Sequence, residues 1–247
     1  MIRNTFCHIK GITEDTERLI WKNNINSWQD FIDNAENINF LSKTQISNIL
    51  KELENSKNFL DDKDINYFKN KLNSKLHYRL ANFGNICFLD IETTGLSRYC
   101  DEITLIGIYN GKESKIFING IDIENAISEI DKYDIIVTFN GKTFDIPFIE
   151  YKFGCKFDNK IHLDLRFLLK ELGYYGGLKK IEQDLGVKRS QEVVGVDGFE
   201  AVRLWKRYLK GDETALAKLL KYNQEDIENL KYLLEFYVKE KINNNYE

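Results

Sequence analysis

The chain has 247 residues, 43% of them hydrophobic and 30% charged, with a formal net charge of −4. That length accommodates one large α/β domain with a smaller appendage, and the composition is that of a soluble globular protein in which no apolar run approaches the ~18 to 20 residues of a membrane span. The mild acidity excludes a globally basic surface, so any contact with nucleic acid must come from local patches.

Four cysteines, Cys7, Cys87, Cys100 and Cys155, form no CxxC pair and have no histidine at ligand spacing. They read as reduced thiols rather than as a disulfide framework or a zinc site. The opening MIRNTFCHIKG has polar residues where an export signal would carry its apolar centre, so the expected compartment is the cytoplasm.

Residues 1–84 carry a helical pattern broken by Asn-rich turns. In GITEDTERLIWKNNINSWQDFI, Leu19 and Ile20, then Ile25, then Trp28, Phe31 and Ile32 suit two short helices joined at NNIN. SKTQISNILKEL opens with Ser42 and, three residues later, Gln45, the spacing of a capping box that begins a third helix.

From residue 85 the period changes. ICFLDIE, ITLIGIY, SKIFING and DIIVTF read as strands, with a helical stretch at about 122–131 before the fourth. Asn140-Gly141 alone would signal a hairpin, but KTFDIPFIEYKF follows, with Thr143 as an N-cap and Pro147 tolerable in a first turn, which predicts strand, turn, helix. IHLDL is a further short strand, and the remainder is helical. Three strands followed by alternating helix and strand indicate a mixed sheet with crossover helices.

Strand alternation puts Phe88, Asp90 and Glu92 on one face and Cys87, Leu89 and Ile91 on the other. The two carboxylates lie at the end of the strand, where sites gather in α/β sheets. Asp145 arrives at the start of a helix after another strand, either as a cap or as a third carboxylate of the same site. In the last helix Leu219, Tyr222, Asp226, Leu230, Leu233 and Tyr237 fall on one stripe, which places Asp226 on a core-facing surface. A carboxylate there costs several kcal/mol unless it is paired or bound to a cation, and a metal shared with Asp90, Glu92 and Asp145 would supply the partner. Four hard oxygen donors suit two Mg²⁺ or Mn²⁺ ions, and Tyr222, one turn before Asp226, would sit beside them to orient water.

FLDIETTGL, TFNGKTFDIPF and YNQEDIENL resemble the three motifs of the DEDD superfamily of RNase H-like 3′-to-5′ exonucleases. The Tyr-x-x-x-Asp form of the third motif is similar to the tyrosine (DEDDy) subclass; the histidine subclass would want His where Lys221 stands. GGLKKIEQDLGVKR and VDGFEAVRLWKRYLKGDETALAKLLKYN resemble the YprB-like branch, and the match runs from about residue 85 to 236. The resemblance implies an RNase H-like mixed five-stranded sheet flanked by helices over 85–247, behind a small all-helical region at 1–84. It implies Asp90, Glu92, Asp145 and Asp226 as metal ligands and Tyr222 as the water-orienting residue. By the same resemblance Thr93, Thr94, Gly95 and Leu96 meet the terminal nucleotide, and Asn140 matches the motif, with a turn role as the alternative.

Lys179, Lys180, Lys188 and Arg189 flank one predicted helix and Arg203, Lys206, Arg207 and Lys210 crowd another, so each cluster is placed to line a phosphate track. Trp205, and the tyrosines at 174 and 175, are candidates for base stacking, with core packing favoured for Trp205. FCHIKGITEDTERLIWKNNINSWQDFI also resembles the N-terminal segment of the same branch and, more loosely, a helix-hairpin-helix. KGIT lacks the second glycine of such hairpins, so helical packing is the leading expectation there and docking of nucleic acid or of a protein partner the alternative. The function expected is metal-dependent 3′-to-5′ hydrolysis of single-stranded DNA, with two alternatives: an exoribonuclease, or an inactive nucleic-acid-binding protein of the same fold.

Overall fold

The computed structural model describes residues 1–245. The chain divides into two compact units, one made of Met1–Gly84 together with Val238 to Asn245, the other of Asn85–Tyr237.

The first unit is helical. Helices α1 (Glu14–Lys22), α2 (Trp28–Asp33), α3 (Lys43–Asp61) and α4 (Ile65–Lys71) are each opened by a side chain that accepts from the first turn: Thr13, Ser27, Ser42 and Asp64. Ser42 and Gln45 form the capping box that the sequence indicates. Phe6, Trp28, Phe31 and Phe68 are buried together, and the His8 ring packs 5.2 Å from Trp28 and 5.7 Å from Phe68. Glu17, fully buried on α1, accepts from Thr5 Oγ1 at 2.8 Å, Phe6 N at 2.5 Å and Cys7 N at 3.1 Å, and pairs with Arg79 at 2.6 Å.

In the second unit β1 (Ile86–Thr93), β2 (Ile103–Tyr109) and β3 (Ser114–Ile118) form an antiparallel meander, and α5 (Asn125–Ile130) leads back to β4 (Ile135–Thr138), parallel to β1. After α6 (Asp145–Phe153), β5 (Ile161–Asp164) joins β4 in parallel, giving a mixed five-stranded sheet in the order β3-β2-β1-β4-β5. Helices α7 (Leu165–Glu171), α8 (Leu178–Asp184), α9 (Gly198–Tyr208) and α10 (Glu213–Asn245) complete the chain.

The alternation along β1 sorts the two faces. Cys87, Leu89 and Ile91 enter a core with Ala126 and Ile130 of α5 and Phe148 and Ile149 of α6. Leu105 of β2 packs on the opposite face with Leu204 and Trp205 of α9 and Leu216, Leu219 and Tyr222 of α10. Trp205 is therefore a core residue. The stripe on α10 is buried throughout, from Leu219 through Tyr222, Asp226, Leu230 and Leu233 to Tyr237.

Two expectations are corrected. Thr143 does not cap α6: its hydroxyl donates back to Asn140 O at 3.0 Å and Asn140 Oδ1 at 2.9 Å, and the cap position is Phe144. The end of α10, from Val238, groups with the first unit rather than with the sheet. A helix of 33 residues is about 50 Å long at 1.5 Å per residue, which outruns any strand of this sheet.

Candidate metal centre

The end of β1 is irregular. Asp90 pairs with Gly107 and Glu92 with Leu105 across the β1–β2 ladder, and the register shifts between Glu92 and Thr93, as a bulge that re-aims side chains would do. Here α10 crosses the sheet, and one oxygen each of Asp90, Glu92 and Asp226 lie within 4.8 Å of one another. Asp145, the first residue of α6, lines the same cleft, but its Oδ1 accepts from Ile91 N at 3.1 Å and it stands outside that trio. The cleft has a volume of about 730 Å³ and is lined by Thr93, Thr94, Gly95 and Leu96 and by Asp197, Phe199, Arg203 and Lys206.

The carboxylates repel one another where water is scarce. Burial, then Asp226 and Asp145, raise both Asp90 and Glu92 well above the usual carboxylate range. Burial raises Asp145 to about 7. Burial also raises Asp226 to about 6, against the pull of the adjoining Arg189. Tyr222 is buried beside them, and burial with the Asp226, Glu92 and Asp90 carboxylates pushes its hydroxyl above the usual phenol range. Lys179 Nζ sits 4.6 Å from the Tyr222 ring centroid and the Arg189 guanidinium 5.7 Å from it, so cations fix the ring from its faces.

Arg189 and Lys179 thus lie among the carboxylates. Arg189 donates to Glu182 at 2.7 and 2.8 Å and pairs with Asp226, its side chain 11% exposed and its Nη1 without a hydrogen-bond partner among the described residues. Lys180 points away and pairs with Asp184 on the surface. Asn140 adopts φ 67° in the β4–α6 turn, lines the cleft, and is held through its side chain by Arg166 at 2.6 Å and Thr143 at 2.9 Å.

Sequence reasoning missed the residues that hold the ligands. Asn223, fully buried on α10, donates to Asp90 Oδ2 at 2.9 Å. It reaches Asp90 because β2 has glycine opposite: a Cβ at Gly107 would stand 2.1 Å from Asn223 Oδ1. Both had a signal. Asn223 lies three residues before Asp226 on the same helical face, and a lone glycine inside ITLIGIY marks a close approach. Asp164, buried at the end of β5, accepts from Asn140 N at 2.8 Å, Lys142 N at 2.9 Å and Arg166 N at 3.1 Å and so fixes the turn before Asp145.

The donor set fits hard divalent cations. It is all oxygen, it converges, and its charge exceeds what Arg189, shared with Glu182, neutralises.

Three solved structures are similar to this chain at low identity. A family B DNA polymerase from Pyrobaculum calidifontis is 17% identical with a TM-score of 0.48, over 64% of this chain and 24% of its own, so this chain spans about a quarter of the polymerase. A nuclease in apo form is 15% identical (TM-score 0.47; 68% of this chain, 78% of its own). Brucella melitensis NrnC bound to pGG is 18% identical (TM-score 0.46; 64% and 74%). No curated protein sequence matches the chain. Residues 87–238, more than half of the chain, match the RNase H superfamily model RNase_H_2, and the chain belongs to that superfamily.

Proposed function

We propose that the second unit is a metal-dependent 3′-to-5′ exonuclease of the DEDD tyrosine subclass, YprB-like branch, acting on single-stranded DNA in the cytoplasm. The observation that carries this reading is the convergence of Asp90, Glu92 and Asp226 beside buried Tyr222 at the floor of an open cleft. Asp90, Glu92, Asp145 and Asp226 would hold two Mg²⁺ or Mn²⁺ ions, which when bound supply an activated water and charge stabilisation for phosphodiester hydrolysis.

The chain's own residues do the rest. Tyr222, with its hydroxyl held protonated by burial and by the surrounding carboxylates, donates a hydrogen bond that orients water. Leu96, 85% exposed, and Phe199, 79% exposed, both line the cleft and offer apolar surfaces for a splayed terminal base. Arg203 and Lys206 put positive charge on the α9 wall, where a phosphate would pass. Thr93 to Gly95 bring backbone close to the same nucleotide.

The test is digestion of 5′-labelled single-stranded DNA and RNA of matched sequence with Mn²⁺, Mg²⁺ or EDTA, beside the Asp226→Ala variant. A metal-dependent ladder shortening from the 3′ end, faster on DNA and abolished in the variant, is the expected result. Cleavage retained near wild type by Asp226→Ala would overturn the assignment.

A further inference from the structure

The turn between β1 and β2 is closed around one carboxylate. Asp101 accepts from Ser97 N at 2.9 Å and Thr94 Oγ1 at 3.3 Å, while Asp101 N and Cys100 N donate to Ser97 O at 2.7 and 3.1 Å. Gly95 packs so near that a Cβ there would stand 2.5 Å from the Asp101 oxygens. A turn pinned at this many points presents its side chains on a rigid base.

Leu96, on the cleft wall, is one exposed side chain of that turn; Tyr99, 63% exposed, is another. Tyr151 of α6, 52% exposed, meets Tyr99 edge to face with ring centroids 5.0 Å apart. The Arg98 guanidinium lies 5.1 Å over the Tyr99 ring and donates to its hydroxyl at 3.0 Å. Two large rings displayed to water on fixed elements contribute nothing to a core, and paired with a cation they have the chemistry of a base-stacking surface with a phosphate contact.

Their position joins them to the cleft. Tyr99 follows Leu96 by three residues, within about 10 Å of it. Tyr151 follows Asp145 by six residues of α6, about 9 Å along the helix axis. Both elements therefore run from the carboxylates to the aromatic pair.

We infer that Tyr99, Tyr151 and Arg98 form an outer stacking platform that holds the bases of a single strand upstream of the nucleotide in the cleft. The strand direction rests on the nuclease reading above. The enzyme then prefers strands of several nucleotides to dinucleotides, because only the longer strand spans both surfaces.

The experiment is fluorescence anisotropy with a 5′-fluorescein DNA hexanucleotide and the matching dinucleotide, in EDTA, on the full chain. Wild type should bind the hexanucleotide more tightly. The Tyr99→Ala/Tyr151→Ala variant should lose about tenfold in hexanucleotide affinity with dinucleotide affinity and melting temperature unchanged, and Tyr99→Phe/Tyr151→Phe should keep wild-type affinity. Equal hexanucleotide affinity in the alanine variant and wild type, or a loss shared equally by both lengths, would overturn the platform. If the hexanucleotide result holds but no strand is cut in Mn²⁺, the nuclease reading fails and the platform stands as a binding surface.

Discussion

Each unit buries carboxylate at its centre, and the two do so in opposite ways. In the helical unit Glu17 is fully enclosed and fully answered: a hydroxyl, two backbone N–H groups and Arg79 occupy its oxygens. In the sheet unit Asp90, Glu92 and Asp226 converge beside the Asn223 amide, the Tyr222 hydroxyl, Lys179 and a guanidinium, Arg189, that is shared with Glu182. Burial of charge is common to both. What separates a structural ion pair from a site is whether the protein itself completes the coordination.

The widest separation should come from removing one carboxylate's charge. Glu17→Gln leaves Arg79 buried without its partner and should cost about 3–5 kcal/mol in urea denaturation; a loss under 1 kcal/mol would mean that the centre of the helical unit is not held electrostatically. In the sheet unit the ligands depend on their supports. Asn223→Leu should weaken Mn²⁺ binding about 10–100-fold, and Gly107→Ala, by displacing Asn223, should weaken it too; wild-type affinity in both would show that Asp90 needs no support.

Acid should act on the helical unit through His8. Burial, then Lys71, lowers His8 to about 4 from an ordinary 6.5. The unfolded chain therefore binds the extra proton first, and stability present above pH 6.5 is lost as pH falls toward 4, with a slope of at most about 1.4 kcal/mol per pH unit. His8→Gln should flatten that slope; an unchanged slope assigns it elsewhere. The smallest effect has the opposite sign to Glu17→Gln: Glu92→Gln relieves repulsion and should raise metal-free stability by about 1 kcal/mol. A loss there would break the contrast between the units.

Much of this was legible in local pattern. The alternation in ICFLDIE put Asp90 and Glu92 on one face, the stripe on α10 put Asp226 inward, and Ser42 with Gln45 announced a helix start. These are properties of neighbours in sequence, set by strand and helix periods. For Arg189, expected at a phosphate track, nothing local shows that Glu182 and Asp226 close on it from two helices. Thr143 read as a cap because its side chain was equally able to bond back to Asn140, a choice made by the turn that Asp164 holds. The end of α10 carries the same periodicity on both sides of Val238, so the pattern contains no mark of the change of unit.

On this reading divalent cations complete the sheet unit's carboxylates. Calorimetric titration of Mn²⁺ into EDTA-treated protein, wild type beside Asp226→Ala, tests it most directly. Two ions bound by wild type, with a stabilisation of about 2.7 kcal/mol per ion at a hundredfold excess over Kd that Asp226→Ala lacks, is the expected result. Identical titrations for the two proteins, or no binding by either, would contradict it.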